Sequence, residues 1–209
     1  VKNSLLIALC FLLGVAAGYL LLESESELLS RGVTYVLFLL IFFVGVGVGA
    51  NVQVWQVLKR MHFRIFFVPF AVVFGTLMGV GAVSFFLRDI GFFQALAVGS
   101  GFGYYSLSSV IIAREAGGVL GMTALVSNLL RELATLLLAP LLVHLFGDLA
   151  PVACGGATAM DTTLPVIAKV SGEEYAVIGI FSGVVLTVLV PVLVPLFLKL
   201  GFAVMGGLQ

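Results

Sequence analysis

Charge is what this sequence has least of. Ten basic and ten acidic residues among 209 make 10% charged and a formal net charge of zero, where a soluble domain carries about 25%. That deficit excludes a soluble fold with an ordinary charged surface. The lack of a basic excess also removes any case for nucleic acid, whose phosphates are met by Lys and Arg. Cysteine is scarce: Cys10 and Cys154 both lie in apolar surroundings and form no disulfide framework or metal-ligand spacing. There is no HExxH, no GxSxG and no aspartyl pair suited to intramembrane proteolysis, so the chain is not read as an enzyme. Period-two alternation is missing as well. The apolar runs are long and continuous, which excludes a β-barrel.

What is present is apolar: 62% of residues are hydrophobic and the mean hydropathy is +1.27. A bilayer core about 30 Å thick takes about 20 such residues per helix. The sequence therefore predicts an all-α polytopic membrane protein with about five full spans, at 4–22, 32–50, 65–87, 119–146 and 175–200, the last kinked by Pro191 and Pro195. Two Gly-rich segments, 92–114 and 151–170, read as broken or re-entrant. Residues 1–91 form a three-span scaffold and 92–209 a transport core. The first apolar run has no small-residue cleavage site after it and is not read as a signal peptide. The loop 51–64 holds Lys59, Arg60, His62 and Arg64, so the positive-inside rule places it in the cytoplasm. Trp55 anchors at the interface. The acidic ESESE run at 23–27 and Arg88-Asp89 then lie outside, the N-terminus inside and the C-terminus outside.

Polar residues concentrate in the two broken segments and the helix between them. In the first, Gly99, Gly101 and Gly103 fall two apart, a poor helix pattern, and Tyr104, Tyr105, Ser106 and Ser108 follow. In the second, Gly155 and Gly156 precede Thr158, Asp161, Thr162 and Pro165. Glycines admit close backbone approach, and hydroxyls can replace water around a polar solute. Between the segments, Asn128, Arg131, Glu132 and Thr135 fall at i, i+3, i+4 and i+7, one helical face that must point into the bundle. Arg131 and Glu132 are neighbours, so their side chains diverge by about 100°. An ion pair of Glu132 with some other base remains open. Asp161, four residues before a proline, suits a helix terminus or N-cap. If each broken segment is a hairpin, the units 92–146 and 151–200 are inverted repeats, the plan of many secondary transporters. Full crossings would make them parallel. We expect hairpins, because so much Gly and Ser makes a poor spanning helix.

Three motifs carry a resemblance: SGFGYYSLSSVII at 100–112, SNLLRELATLLLAPLL at 127–142 and CGGATAMDTTLPVI at 154–167. In residues, order and spacing they resemble the bacterial lysine exporter family (LysO type), and weaker similarity extends back through LFLLIFFVGVGVG at 37–49. It covers the C-terminal two thirds of a typical member. Typical members begin with three further spans that look like an inverted copy of spans one to three. The resemblance implies export of L-lysine and its analogue thialysine across the cytoplasmic membrane of a bacterium or archaeon. It also implies two essential acids, which fall on Glu132 and Asp161.

The expected mechanism follows from charge. Lysine is a zwitterion with an extra ammonium, and two carboxylates in one cavity offset it. The acids would hold protons when the cavity is empty and release them as lysine binds, giving antiport. Asn128, Ser106, Ser108, Thr158 and Thr162 would orient the solute, with Gly101, Arg131, Tyr104 and Tyr105 around it, and the broken helix ends would meet its α-carboxylate. No cofactor beyond a proton or sodium coupling ion is expected. A homo-oligomer, or a small membrane subunit carrying the further spans, is the expected partner. The competing readings are a sodium/proton or other small-cation antiporter, and a membrane subunit inactive without that partner.

Overall fold

The computed structural model describes residues 63–87 and 89–206, together with Tyr35, Leu39, Phe42 and Val46. The expectations for the first span, the acidic loop, the loop 51–62, most of the second span and Arg88 lie outside the described residues. The chain divides into two compact units, 1–47 and 48–209. In the first, the four described residues are helical and exposed. All that follows concerns the second.

Described elements are helical, with no strand among them. A 3₁₀ turn at Phe63–Phe66 leads into α1 (Phe67–Ser84), followed by α2 (Phe92–Gly99), α3 (Tyr105–Ala116), α4 (Gly118–Phe146), α5 (Ala150–Gly155), a second 3₁₀ turn (Gly156–Met160), α6 (Leu164–Ser171) and α7 (Glu173–Gly206). Three of these, α1, α4 and residues 173–204 of α7, are long and apolar enough to cross a membrane. Helix α4 runs on through Pro140, and α7 through Pro191 and Pro195.

The spans are apolar outside, and the interior mixes aliphatic side chains with a few buried polar ones. On α1, Phe67, Phe70, Phe74 and Met78 are exposed at spacings of three and four, a lipid-facing stripe. On α4, Leu130, Leu137 and Leu141 are exposed while Asn128, Glu132 and Thr135 are buried. With lipid outside, apolar residues gain nothing by turning inward, and polar ones lose by turning outward.

Both broken segments double back. Val83, Leu87, Ile90 and Ala95 line one cavity with Thr123 and Ser127, so α2 begins beside the end of α1 and the start of α4. Helix α3 finishes at the same end, where Gly117 turns the chain and Gly121 packs so closely on Ala113 that a Cβ there would overlap it. The second segment enters from the opposite end. Val152 of α5 and Ile167 of α6 share a buried cluster with Val68, Tyr175 and Ile178, at the starts of α1 and α7. Helix α7 then spans the bundle, from Ile180 and Phe181 against Ile65 to Gly201 against Phe93. The second 3₁₀ turn lies on a glycine face of α7. A Cβ at Gly179 or Gly183 would come within 3.0 Å of the Ala159 oxygen or 2.8 Å of the Ala157 oxygen. This small-xxx-small spacing permits that approach.

Candidate functional site

The two hairpins meet tip to tip. At the first tip Phe102 is left-handed (φ 47°) and Gly103 follows at φ 94°, which ends α2 and aims the Phe102 carbonyl away from it. That oxygen accepts the Ala157 N–H at 2.8 Å from the second hairpin. Beside it stands Gly156 at φ 63°, where a Cβ would overlap the Phe102 oxygen. A Cβ on Gly103 would sit 3.0 Å from the Gly155 oxygen. Only glycine gives both the dihedral and the clearance. The Phe102 ring is fully buried and anchors the turn.

Helix α4 clamps both tips. Asn128 Oδ1 accepts the Gly103 N–H at 2.7 Å, and Asn128 Nδ2 donates to the Val98 oxygen at 3.2 Å and the Ala124 oxygen at 2.9 Å. One side chain thus pairs the Gly103 N–H of the turn and adds a second donor to the Val98 oxygen, which also accepts the Gly101 N–H at 3.2 Å. Gly101 is required beside it, since a Cβ there would come within 2.6 Å of Asn128 Nδ2 and 2.7 Å of Ser108 Oγ. One helical step on, Arg131 Nε donates to the Cys154 oxygen at 2.7 Å, one terminal nitrogen to the Ala153 oxygen at 3.0 Å, and the other to Thr76 Oγ1 at 3.2 Å. Arg131 closes the C-terminal end of α5, where carbonyls lack helical partners.

Glu132 lies on the face shared by Asn128 and Thr135, between the residues that touch the two tips. It is 6% exposed. Its Oε2 is fully buried and has no hydrogen-bond partner. No base stands within ion-pairing distance of it among the described residues, so the structural ion pair left open by the sequence is not formed there. A buried polar group left unmatched costs several kcal/mol in an apolar medium.

The remaining candidates divide by exposure. Ser108 is buried and donates to the Tyr104 oxygen at 2.9 Å. Thr158 is buried and donates to the Gly155 oxygen at 2.9 Å. Tyr104 and Tyr105 are half-buried, while Ser106, Asp161 and Thr162 are exposed. Tyr104 lies near enough to Asp161 to feel its charge, so the two segments bring polar residues together where the tips meet. Asp161 Oδ1 accepts the Thr162 N–H and faces the Thr162 hydroxyl at 3.3 Å. It closes the second 3₁₀ turn, but the N-cap of α6 is Thr163. Of the two places the sequence offered Asp161, a helix terminus or an N-cap, it takes the first: the chain needs two more residues to turn before Leu164 and Pro165 start the next helix. No hydrogen bond joins Asp161 to Glu132. One acid is buried and the other open.

Two hydroxyls escaped selection as site residues. Thr163, fully buried, stands 3.4 Å from the Thr158 hydroxyl. A Cβ on Gly155 would approach Thr163 Oγ1 at 2.8 Å and Thr135 Cγ2 at 3.6 Å. The i+3 spacing from Glu132 marked Thr135; nothing in the sequence separated Thr163 from its neighbour Thr162.

Comparison with known proteins gives consistent matches. The family profile for the lysine exporter LysO matches residues 8–198. The chain is 38% identical over 165 residues to the lysine exporter LysO of Escherichia coli (strain K12), covering 78% of this chain and 54% of that protein. It is 38% identical over 164 residues to a putative lysine exporter of Haemophilus influenzae, covering 78% and 82%. The chain thus spans about half the length of the first relative. No solved structure matches it.

Proposed function

Because the chain belongs to the lysine exporter LysO family, we propose that it exports L-lysine, and thialysine with it, by proton antiport through the junction of its two hairpins. That membership and the long apolar helices make it a multi-pass protein of the inner membrane, in a transporter family rather than an enzyme family. The observation that carries the transport reading is Glu132, a buried carboxylate without a partner, set between two interrupted helices.

The hairpins, each followed by a span and entering from opposite ends, support an inverted repeat with its binding site at the repeat junction. The orientation follows from the basic loop before α1: the first hairpin enters from outside and the second from the cytoplasm, with the N-terminus inside and the C-terminus outside. A lysine ammonium at Glu132 supplies the missing partner, and the hydroxyls of Ser108, Thr158 and Thr163 can take its other N–H groups. A proton satisfies the same oxygen when the solute is gone. One carboxylate cannot hold both, and this exclusion couples outward lysine to inward protons.

Asp161 is the second acid. It lies with Ser106 and Thr162 on an exposed polar patch at the level of the tips. In a membrane such a patch must face protein or a water-filled cavity. This supports an active unit larger than the described residues, either a homo-oligomer or a complex with a small membrane subunit. The test is lysine-driven proton flux in proteoliposomes of the protein as purified from its host membrane. Glu132→Gln should abolish it; unchanged flux would reject the coupling role.

A further inference from the structure

A second side chain at the same depth carries an unanswered charge, and it opens on a different space. Arg131 has five N–H donors, of which three are engaged, all with neutral oxygens: the Cys154 and Ala153 carbonyls and the Thr76 hydroxyl. No acidic side chain lies within ion-pairing distance of it among the described residues. Glu132, though adjacent, projects about 100° around α4. A guanidinium at mid-membrane without an anion is costly, and that cost is relieved by a carboxylate placed against its free N–H groups.

The space for one exists. A cavity of about 290 Å³ lies between α1, α2 and α4. Arg131, Asn128 and Thr76 lie together at one end of it, Thr123 and Ser127 add hydroxyls along α4, and Val80, Val83 and Val98 are among its apolar walls. Its lining also includes Leu87 and Ile90 of the connection beyond α1, and among the described residues it contains no acidic one. Small-molecule pockets run from about 300 Å³ upward, so this one takes a compound of amino-acid size. A cation led by its ammonium would find no counter-charge in it. A carboxylate with a short unbranched apolar tail would find both halves matched.

We propose that this cavity is a carboxylate-binding site, separate from Glu132, in which Arg131 holds the α-carboxylate of a small zwitterion and the walls of α1 and α2 take its aliphatic stem. It rests on the export reading only for its natural ligand, the exported amino acid. With α1 ending outside, it is the outer station of the path. Asn128 forms the partition, since it lines the cavity and also holds the first tip.

Gly79 supplies a test that spares the clamp. It lines the cavity, and a Cβ on it would meet nothing within 4 Å, so Gly79→Leu fills the cavity from its wall while leaving Arg131's hydrogen bonds in place. The probes are L-norleucine, which has the carboxylate and stem without the ε-ammonium, and cadaverine, which has the stem and ammonium without the carboxylate. Binding is measured by equilibrium dialysis on the purified protein in nanodiscs. L-norleucine should bind the wild type and Glu132→Gln alike, and should weaken by at least about tenfold in Gly79→Leu and in Arg131→Gln, the loss of roughly one charge-assisted hydrogen bond or more. Cadaverine binding should not respond to Gly79→Leu. Absence of norleucine binding to the wild type, or equal binding to Gly79→Leu, overturns the proposal. Norleucine binding without any lysine flux would leave the cavity standing and remove the export reading.

Discussion

The tip-to-tip contact can be weighed by substituting one glycine. Gly156→Ala does two things. It forces a Cβ onto a residue at φ 63°, ψ −120°, a region nearly closed to side chains and costing about 1–3 kcal/mol. It also drives that Cβ into the Phe102 oxygen, so the tips must part and the Ala157 N–H···O bond of 2.8 Å is lost. A lost backbone hydrogen bond with a buried carbonyl left unmatched adds about 1–3 kcal/mol. Gly172→Ala separates the two effects. Gly172 is at φ 103°, ψ 164°, comparably strained, but a Cβ there meets nothing within 4 Å. The account predicts that Gly156→Ala is less stable than Gly172→Ala by about 2 kcal/mol, measured by SDS titration in mixed micelles. It also predicts that Gly156→Ala alone loses lysine export in whole-cell efflux. Equal stability and equal export in the two variants would show that the tips do not depend on each other.

Glu132→Gln should leave stability unchanged or raise it by about 1 kcal/mol, because an unmatched buried carboxylate is replaced by a neutral amide, while export is abolished; a marked loss of thermal stability in micelles would make Glu132 a structural group instead. Asn128→Ala strips the partner from the Gly103 N–H and should cost about 1–3 kcal/mol, with hydrogen exchange rising at Gly103 ahead of α3. Asp161→Asn touches only an exposed turn. It should leave the melting temperature unchanged yet reduce lysine flux, and wild-type flux would remove Asp161 from the path.

The sequence disclosed the polar anatomy well, because in a membrane each polar residue must have a reason. The two broken segments, the stripe of Asn128, Glu132 and Thr135, and the long apolar spans all follow from that rule. The first break falls at Ser100–Tyr104, within the run of alternate glycines that predicted it. Less legible was what each polar group does. Arg131 reads as a solute ligand from its place on the stripe, yet much of its hydrogen-bonding goes to the carbonyls of α5, some twenty residues away in sequence. Phe102 gives no local sign of adopting a left-handed conformation; its strain is held by the Ala157 bond from the other hairpin. Asp161 suited a helix terminus or an N-cap, and Pro165 could not decide between them: Asp161 ends the 3₁₀ turn, while α6 begins at Leu164 and leaves its cap to Thr163. The Phe102 and Arg131 shortfalls come from contacts between segments distant in sequence, which no local pattern encodes.

The most direct test of the central claim is counterflow of labelled L-lysine into proteoliposomes preloaded with unlabelled L-lysine, using the protein as purified from its host membrane, with Glu132→Gln beside it. The account predicts label accumulating above its external concentration in the wild type and no accumulation in the variant. Accumulation undiminished by Glu132→Gln, or none in the wild type, would contradict a lysine path through the hairpin junction.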